Sequence, residues 1–232
     1  MNTPATDSAD LVRITPLTRA DRSDFLSLLQ LATPTEPVPV AVEQTTYLSA
    51  GPYPFTHGPG MCLTARTPNS PTIVGALLAS VFDWAFLHPL CTASPLLSEL
   101  LTTTVLRINA VAVHPDHRGH HIASTLIDSA ERRARRAGFR LTILEHERHL
   151  NLSAFYTKLG YTVADHRLIA VVPGADLLAQ EHPRRYKTAV KPLLPSVRVV
   201  HVPGAPAPII SGLFPGCDVP PTARFHNGHL TA

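Results

Sequence analysis

The sequence predicts a mixed α/β domain, and three features carry that reading. Strand-like and helix-like segments alternate along most of the chain. Val105 to Val113 is apolar on both faces, as a central strand should be. That stretch runs through a polar turn into an amphipathic helix that stops at Gly138. At 232 residues the chain suits one domain with tails better than two full domains. A loose tail is expected over residues 1–10, the folded domain over 11–192, and a Pro-rich tail over 193–232.

Leu11 to Thr15 alternates as a short strand. Thr18 is placed to cap the next helix, with Asp21 in its first turn and Phe25, Leu28, Leu29 and Ala32 on its buried face. Six prolines between residues 33 and 60 leave room for one short helix, around Val40 to Leu48. Met61 to Ala65 and Ile73 to Phe82 read as strands joined by a turn at Asn69-Ser70-Pro71. Residues 84–104 are apolar but aperiodic and read as a long connection, with a short helix near Leu96 to Leu101.

After the central strand, Arg118 to Ala123 is a polar turn. The following helix presents Ile122, Leu126, Ala130 and Ala134 at four-residue spacing, widened by Ile127. Phe139 to Leu144 is the next strand, and Asn151 to Leu159 a short helix ending at Gly160. Tyr161 to Val172 and Arg184 to Lys191 complete the strands. Residues 192–232 hold eight prolines and keep no period, so an irregular tail is expected. Packing of that tail through Ile209, Ile210, Leu213 and Phe214 is the alternative.

Several classes find no support. A formal charge of +3 does not argue for nucleic acid or a membrane surface. Arg132, Arg133, Arg135 and Arg136 fall opposite the apolar stripe and read as a solvated helix face. Cys62, Cys91 and Cys217 are odd in number and widely spaced, which fits free thiols and a cytoplasmic location. His114, His117, His120 and His121 lie beside Asp116, but Pro115 breaks any helical ligand spacing, so no metal is expected. There is no G-x-S-x-G, Walker or dinucleotide loop.

The chemistry sits in Leu106 to Ala123, a buried strand, a tight turn and a helix start. Unpaired N–H groups at a helix N-terminus, with the helix dipole behind them, make a seat for an anion such as a pyrophosphate. Arg118 adds a fixed positive charge, and Gly119 permits close approach of backbone.

This segment resembles the acyl-CoA-binding core of the GNAT acetyltransferases, whose loop reads R/Q-x-x-G-x-G/A after a strand often ending V-H-P. Val113-His114-Pro115, Arg118 and Ala123 match, while His121 stands at the middle glycine. Asn151-Leu-Ser-Ala154-Phe-Tyr156-Thr-Lys-Leu-Gly160-Tyr161 is similar to the family's second signature, N-x-x-A-x-x-F/L-Y-x-K-L-G-F/Y, shortened between Ala154 and the aromatic pair.

The resemblance implies the GNAT acyl-CoA N-acyltransferase fold, a mostly antiparallel central sheet flanked by helices. It implies acetyl-CoA as co-substrate, bound by the strand backbone at Val111, Ala112 and Val113 and by the loop Arg118, Gly119, His120, His121, Ile122 and Ala123. Asn151 and Ala154 would lie along the pantetheine arm. Tyr156 would protonate the leaving thiolate. Attack by a neutral amine requires a base, for which Glu145, Glu147 and Asp83 are all candidates near strand ends; Glu145 is carried forward with Tyr156 as the catalytic pair. The expected acceptor is a primary amine on a small molecule, with a homodimer as the assembly to test. Alternatives are an acyl-CoA-binding sensor or interaction module with degenerate catalysis, and an acetyltransferase of protein lysines or N-termini.

Overall fold

The computed structural model describes residues 12–32, 60–68, 70–81 and 89–231. Its elements begin with strand β1 (Arg13–Pro16), helix α1 (Arg22–Ala32), and strands β2 (Met61–Arg66) and β3 (Ile73–Val81). Helices α2 (Pro89–Ala93) and α3 (Pro95–Thr104) lead into strand β4 (Val105–Val113), helix α4 (Ile122–Arg136) and strand β5 (Leu141–Glu147). Helix α5 (Ser153–Lys158) follows, then strands β6 (Thr162–Ala164), β7 (Arg167–Val172), β8 (Ala175–Glu181) and β9 (Tyr186–Pro192). The short strands β10 (Arg198–Val200), β11 (Ile209–Ser211), β12 (Arg224–His226) and β13 (His229–Thr231) come last. The mixed α/β class is as the sequence predicts. No helix among the described residues is long and apolar enough to cross a membrane.

The chain divides into two compact units, and β4 passes from the second into the first. The first holds the described residues of 1–80 and 108–133. Its strands follow the order β1-β2-β3-β4, with β1–β2 and β2–β3 antiparallel. Phe25, Leu28 and Leu29 recur on one side of α1 and pack with Cys62, Ile73, Ala76, Leu78 and Ala112. The helix starts later than the Thr18 cap predicts. The Asp21 carbonyl accepts the first helical bond, from Phe25 N–H, at 2.9 Å. Thr18 instead donates its hydroxyl to the Asp21 carboxylate, which also pairs with Arg66 at 2.5 Å. These partners, Arg66 first, hold the Asp21 carboxyl below the usual range.

The second unit holds the described residues of 81–107 and 134–232. Here β5, β9 and β6 form an antiparallel run, and a second sheet takes the order β10-β11-β7-β8. Its core joins Leu97 and Leu101 of α3 to Leu141, Ile143, Leu168, Leu178, Val190, Ile210, Leu213 and Phe214.

Three sequence expectations change in this unit. The aperiodic connection contains two helices. Ser94 caps α3 by accepting from Leu97 N–H, with Pro95 in the first turn. The single strand expected over Tyr161 to Val172 breaks at Asp165-His166, so β6 pairs with β9 and β7 joins the other sheet. Residues 193–231 are folded and not an irregular tail. Ile209 and Ile210 are buried, and β11 pairs parallel with β7 (Ile209↔Ile169, Ile210↔Ala170). The helix expected at Val40 to Leu48, and Asn69, Phe82 and Asp83, lie outside the described residues.

One close approach positions the region of interest. A Cβ added at Gly75 would stand 2.8 Å from Ile122 Cγ2 and 3.2 Å from Ala65 Cβ. Gly75→Ala should therefore destabilise the protein by about 1–3 kcal/mol through overpacking. Urea unfolding measures this; an unchanged midpoint would mean that α4 is not seated there.

Candidate active site

In the first unit, β4 ends where His114 N–H donates to Val74 C=O at 2.9 Å. A 3-10 turn over Pro115–His117 then reverses the chain. Gly119 (φ 81°) and His121 (φ 58°) both adopt left-handed backbone. That conformation lets the His121 carbonyl open α4. It accepts Thr125 N–H at 3.0 Å and the hydroxyls of Ser124 and Thr125 at 2.7 and 3.0 Å. The N–H groups from Gly119 to Ser124 meet no acceptor among the described residues.

Arg118 spends its Nε–H on Val113 C=O at 3.3 Å, and its terminal nitrogens have no partner among the described residues. A free guanidinium end beside N–H groups without acceptors suits an anion with several oxygens. The loop therefore fits a pyrophosphate through its backbone. His121 takes the glycine position of the motif, keeps the backbone conformation that glycine favours there, and exposes its side chain. Ile122 is buried beneath the loop. On β4, Ala112 is buried while Val111 and Val113 are half-buried. Among the described residues no group of three or more His, Cys, Asp and Glu is arranged to hold a metal ion.

In the second unit, β5 presents different chemistry on its two faces. Successive side chains of a strand point to opposite sides, so His146 and Glu145 are separated. His146 is buried and stacks on Tyr156, with centroids 5.3 Å apart and planes at 26°. Its Nδ1 lies 3.2 Å from the Glu147 carbonyl and donates there, so Nε2 carries the lone pair. That Nε2 is buried without a partner. Burial holds the imidazole below its usual pKa and pushes the Tyr156 phenol up to about 12. Tyr156 thus stays protonated at neutral pH. Asn151, in left-handed backbone (φ 52°), and Ala154 are exposed near the start of α5.

On the opposite face Glu145 is not a free carboxylate. Oε2 meets Arg107 Nη2 at 3.4 Å and Oε1 meets His182 Nε2 at 3.1 Å. The Gln180 amide lies 2.5 Å from the same His182 nitrogen and also lines a largely apolar cavity of about 30 Å³. Burial, aided by Arg107, lowers the His182 pKa to about 4. Glu147 pairs with His149 at 3.0 Å.

Sequence reasoning named Tyr156 and Glu145 but missed Arg107, Gln180 and His182. The readable signal was the turn Pro173-Gly174, which marks β7 and β8 as a hairpin and brings Gln180 and then His182 back along the sheet.

Comparison with known proteins agrees with this picture. Residues 25–161 match the model of the acetyltransferase (GNAT) family. The match spans more than half of the chain, and the chain belongs to that family. A solved structure from Desulfovibrio desulfuricans, described as of the GNAT family, shares 13% identity with a TM-score of 0.53, covering 79% of this chain and 99% of its own. An agmatine N-acetyltransferase structure shares 18% identity with a TM-score of 0.50, covering 78% of this chain and 99% of its own. At such identities these likenesses establish the fold alone, and it is the GNAT fold. No curated protein matches the chain.

Two outcomes follow from the local geometry. His121→Gly relieves a left-handed β-carbon and should raise stability by about 1 kcal/mol, read as a higher Tm; a lower Tm would show that the imidazole holds the loop. The second concerns acid. An unfolded imidazole protonates near 6.5 and folded His182 only near 4. Below 6.5 the unfolded chain binds more protons, so stability that is complete above 6.5 falls as the pH drops through that window. The urea midpoint should decline from pH 6.5 to 4, and His182→Gln should flatten the decline. An equally steep variant would assign the acid sensitivity elsewhere.

Proposed function

We propose that this protein moves an acetyl group from acetyl-CoA to a primary amine of a small molecule, by direct attack within a ternary complex. Family membership supports acyl transfer in general. The observation that carries the co-substrate is the Arg118–Ala123 loop, with its row of N–H groups lacking acceptors and its free guanidinium end. The left-handed backbone of His121 keeps the glycine geometry of the motif, which weakens the case for a degenerate binding module. The three buried free thiols are consistent with a reducing, cytoplasmic setting.

In this reading the loop holds the pyrophosphate, Asn151 and Ala154 lie along the pantetheine arm, and the β4 backbone at Val111 to Val113 meets the thioester. Tyr156 protonates the departing thiolate. A phenol kept neutral by burial still holds the proton that this task needs. The basic end of the proton path belongs to the Glu145 face of β5, opposite the phenol.

Calorimetry with acetyl-CoA, with desulfo-CoA as comparison, tests the binding step. Arg118→Ala should weaken binding about tenfold, and Tyr156→Phe should lower kcat about 10²-fold while leaving KM for acetyl-CoA in place. An absence of wild-type binding at millimolar acetyl-CoA would refute the reading. A Tyr156→Phe enzyme of unchanged kcat would refute the acid assignment alone.

A further inference from the structure

The Tyr156 hydroxyl has no hydrogen-bond partner among the described residues, so its direction is set by what the ring touches. Phe155 and Tyr161 meet the ring edge-on, with centroids 5.1 and 5.8 Å away and planes at 69° and 66°. Among the described residues His146 alone lies flat against a face of it. The imidazole is itself pinned. Its Nδ1–H donates to the Glu147 carbonyl, which fixes the rotation of the ring. Its Nε2 lone pair is buried without a partner, and a proton there would be a buried charge with no acceptor. The charged groups that face it are Lys187, opposite His146 on β9, and Arg148 in the turn after β5, and both resist that proton. Lys187 donates to Ser153 Oγ at the start of α5, at 3.3 Å. His146 therefore acts on its surroundings through its flat face and not through a proton.

Resting on the reading of Tyr156 as the acid for the departing thiolate, we propose that His146 is a positioning residue, which holds the Tyr156 ring in one orientation and seals one of its faces from water. An acid that must meet sulfur at one point loses rate when its hydroxyl swings. Tyr156 sits on α5, a helix of six residues, too short to be stable on its own. His146 sits on β5, which pairs with β9 from Leu141 to Glu147. The imidazole thus carries the stiffness of the sheet to the phenol. Histidine suits this place because it offers a flat face together with a polar tether that stops the ring from turning.

The test measures thiol release from acetyl-CoA by the full chain with a panel of primary amines, across pH. His146→Ala should lower kcat about tenfold, a share of the loss in Tyr156→Phe, and leave KM for acetyl-CoA in place. Water reaching the phenol should also bring the alkaline limb of kcat, set by a phenol at about 12, down toward about 10. His146→Phe keeps the stack and should recover most of the lost rate and the wild-type limb. His146→Leu fills the space without a flat face, so it separates positioning from bulk even where the alanine variant does not fold; it should be slow. A leucine variant at the wild-type kcat, or a phenylalanine variant as slow as the leucine one, overturns the role of His146 while the acid reading stands. A Tyr156→Phe enzyme at the wild-type kcat overturns the acid reading and the role of His146 with it.

Discussion

Helix α4 reaches the sheet of the first unit over Gly75, where a side chain would meet Ile122 and Leu126 within about the distance of touching carbon atoms. That contact fixes the first turn of the helix relative to β3. The β3 backbone in turn takes the end of β4 through Val74 and His114. The loop from Arg118 to Ala123 is thus held at both ends, by a strand bond and by a seated helix. Its left-handed residues then decide which way the N–H groups face. The anion site proposed for this loop needs no flexible side chain for its shape. Arg118 contributes charge, and the backbone contributes geometry.

Much of this was legible in the sequence because it is local. Val105 to Val113 and the four-residue spacing from Ile122 to Ala134 are periodic, and Gly138 closes the helix where a stop is expected. Tyr156 was legible only through its motif; its stacking on His146 depends on a neighbouring strand. Residues beyond Pro192 were not legible. Strands of three residues carry no period, and the partner of β11 lies on β7, far back along the chain. For the same reason Glu145 was visible as an acid while its engagement by Arg107 and His182 was not. Those three residues come from different strands or strand ends, and only their pairing creates the network.

The two faces of β5 give their side chains opposed environments. On one side burial keeps His146 and Tyr156 neutral, with few polar partners. On the other, charge is allowed inside because Arg107, Glu145 and His182 satisfy one another. Pleat alternation provides the separation without any added element.

The parallel pairing of β11 with β7 has a consequence for how the protein is made. Strand β7 leaves the ribosome well before Ile209 and Ile210, so one of its edges stays bare during synthesis. Leu168 and Ala170, which end up buried with Ile210, Leu213 and Phe214, must wait with it. Closing so non-local a contact is slow. The nascent second unit therefore passes through a stage with a sticky strand edge and open apolar surface. Such a stage is prone to aggregation until the last strands arrive.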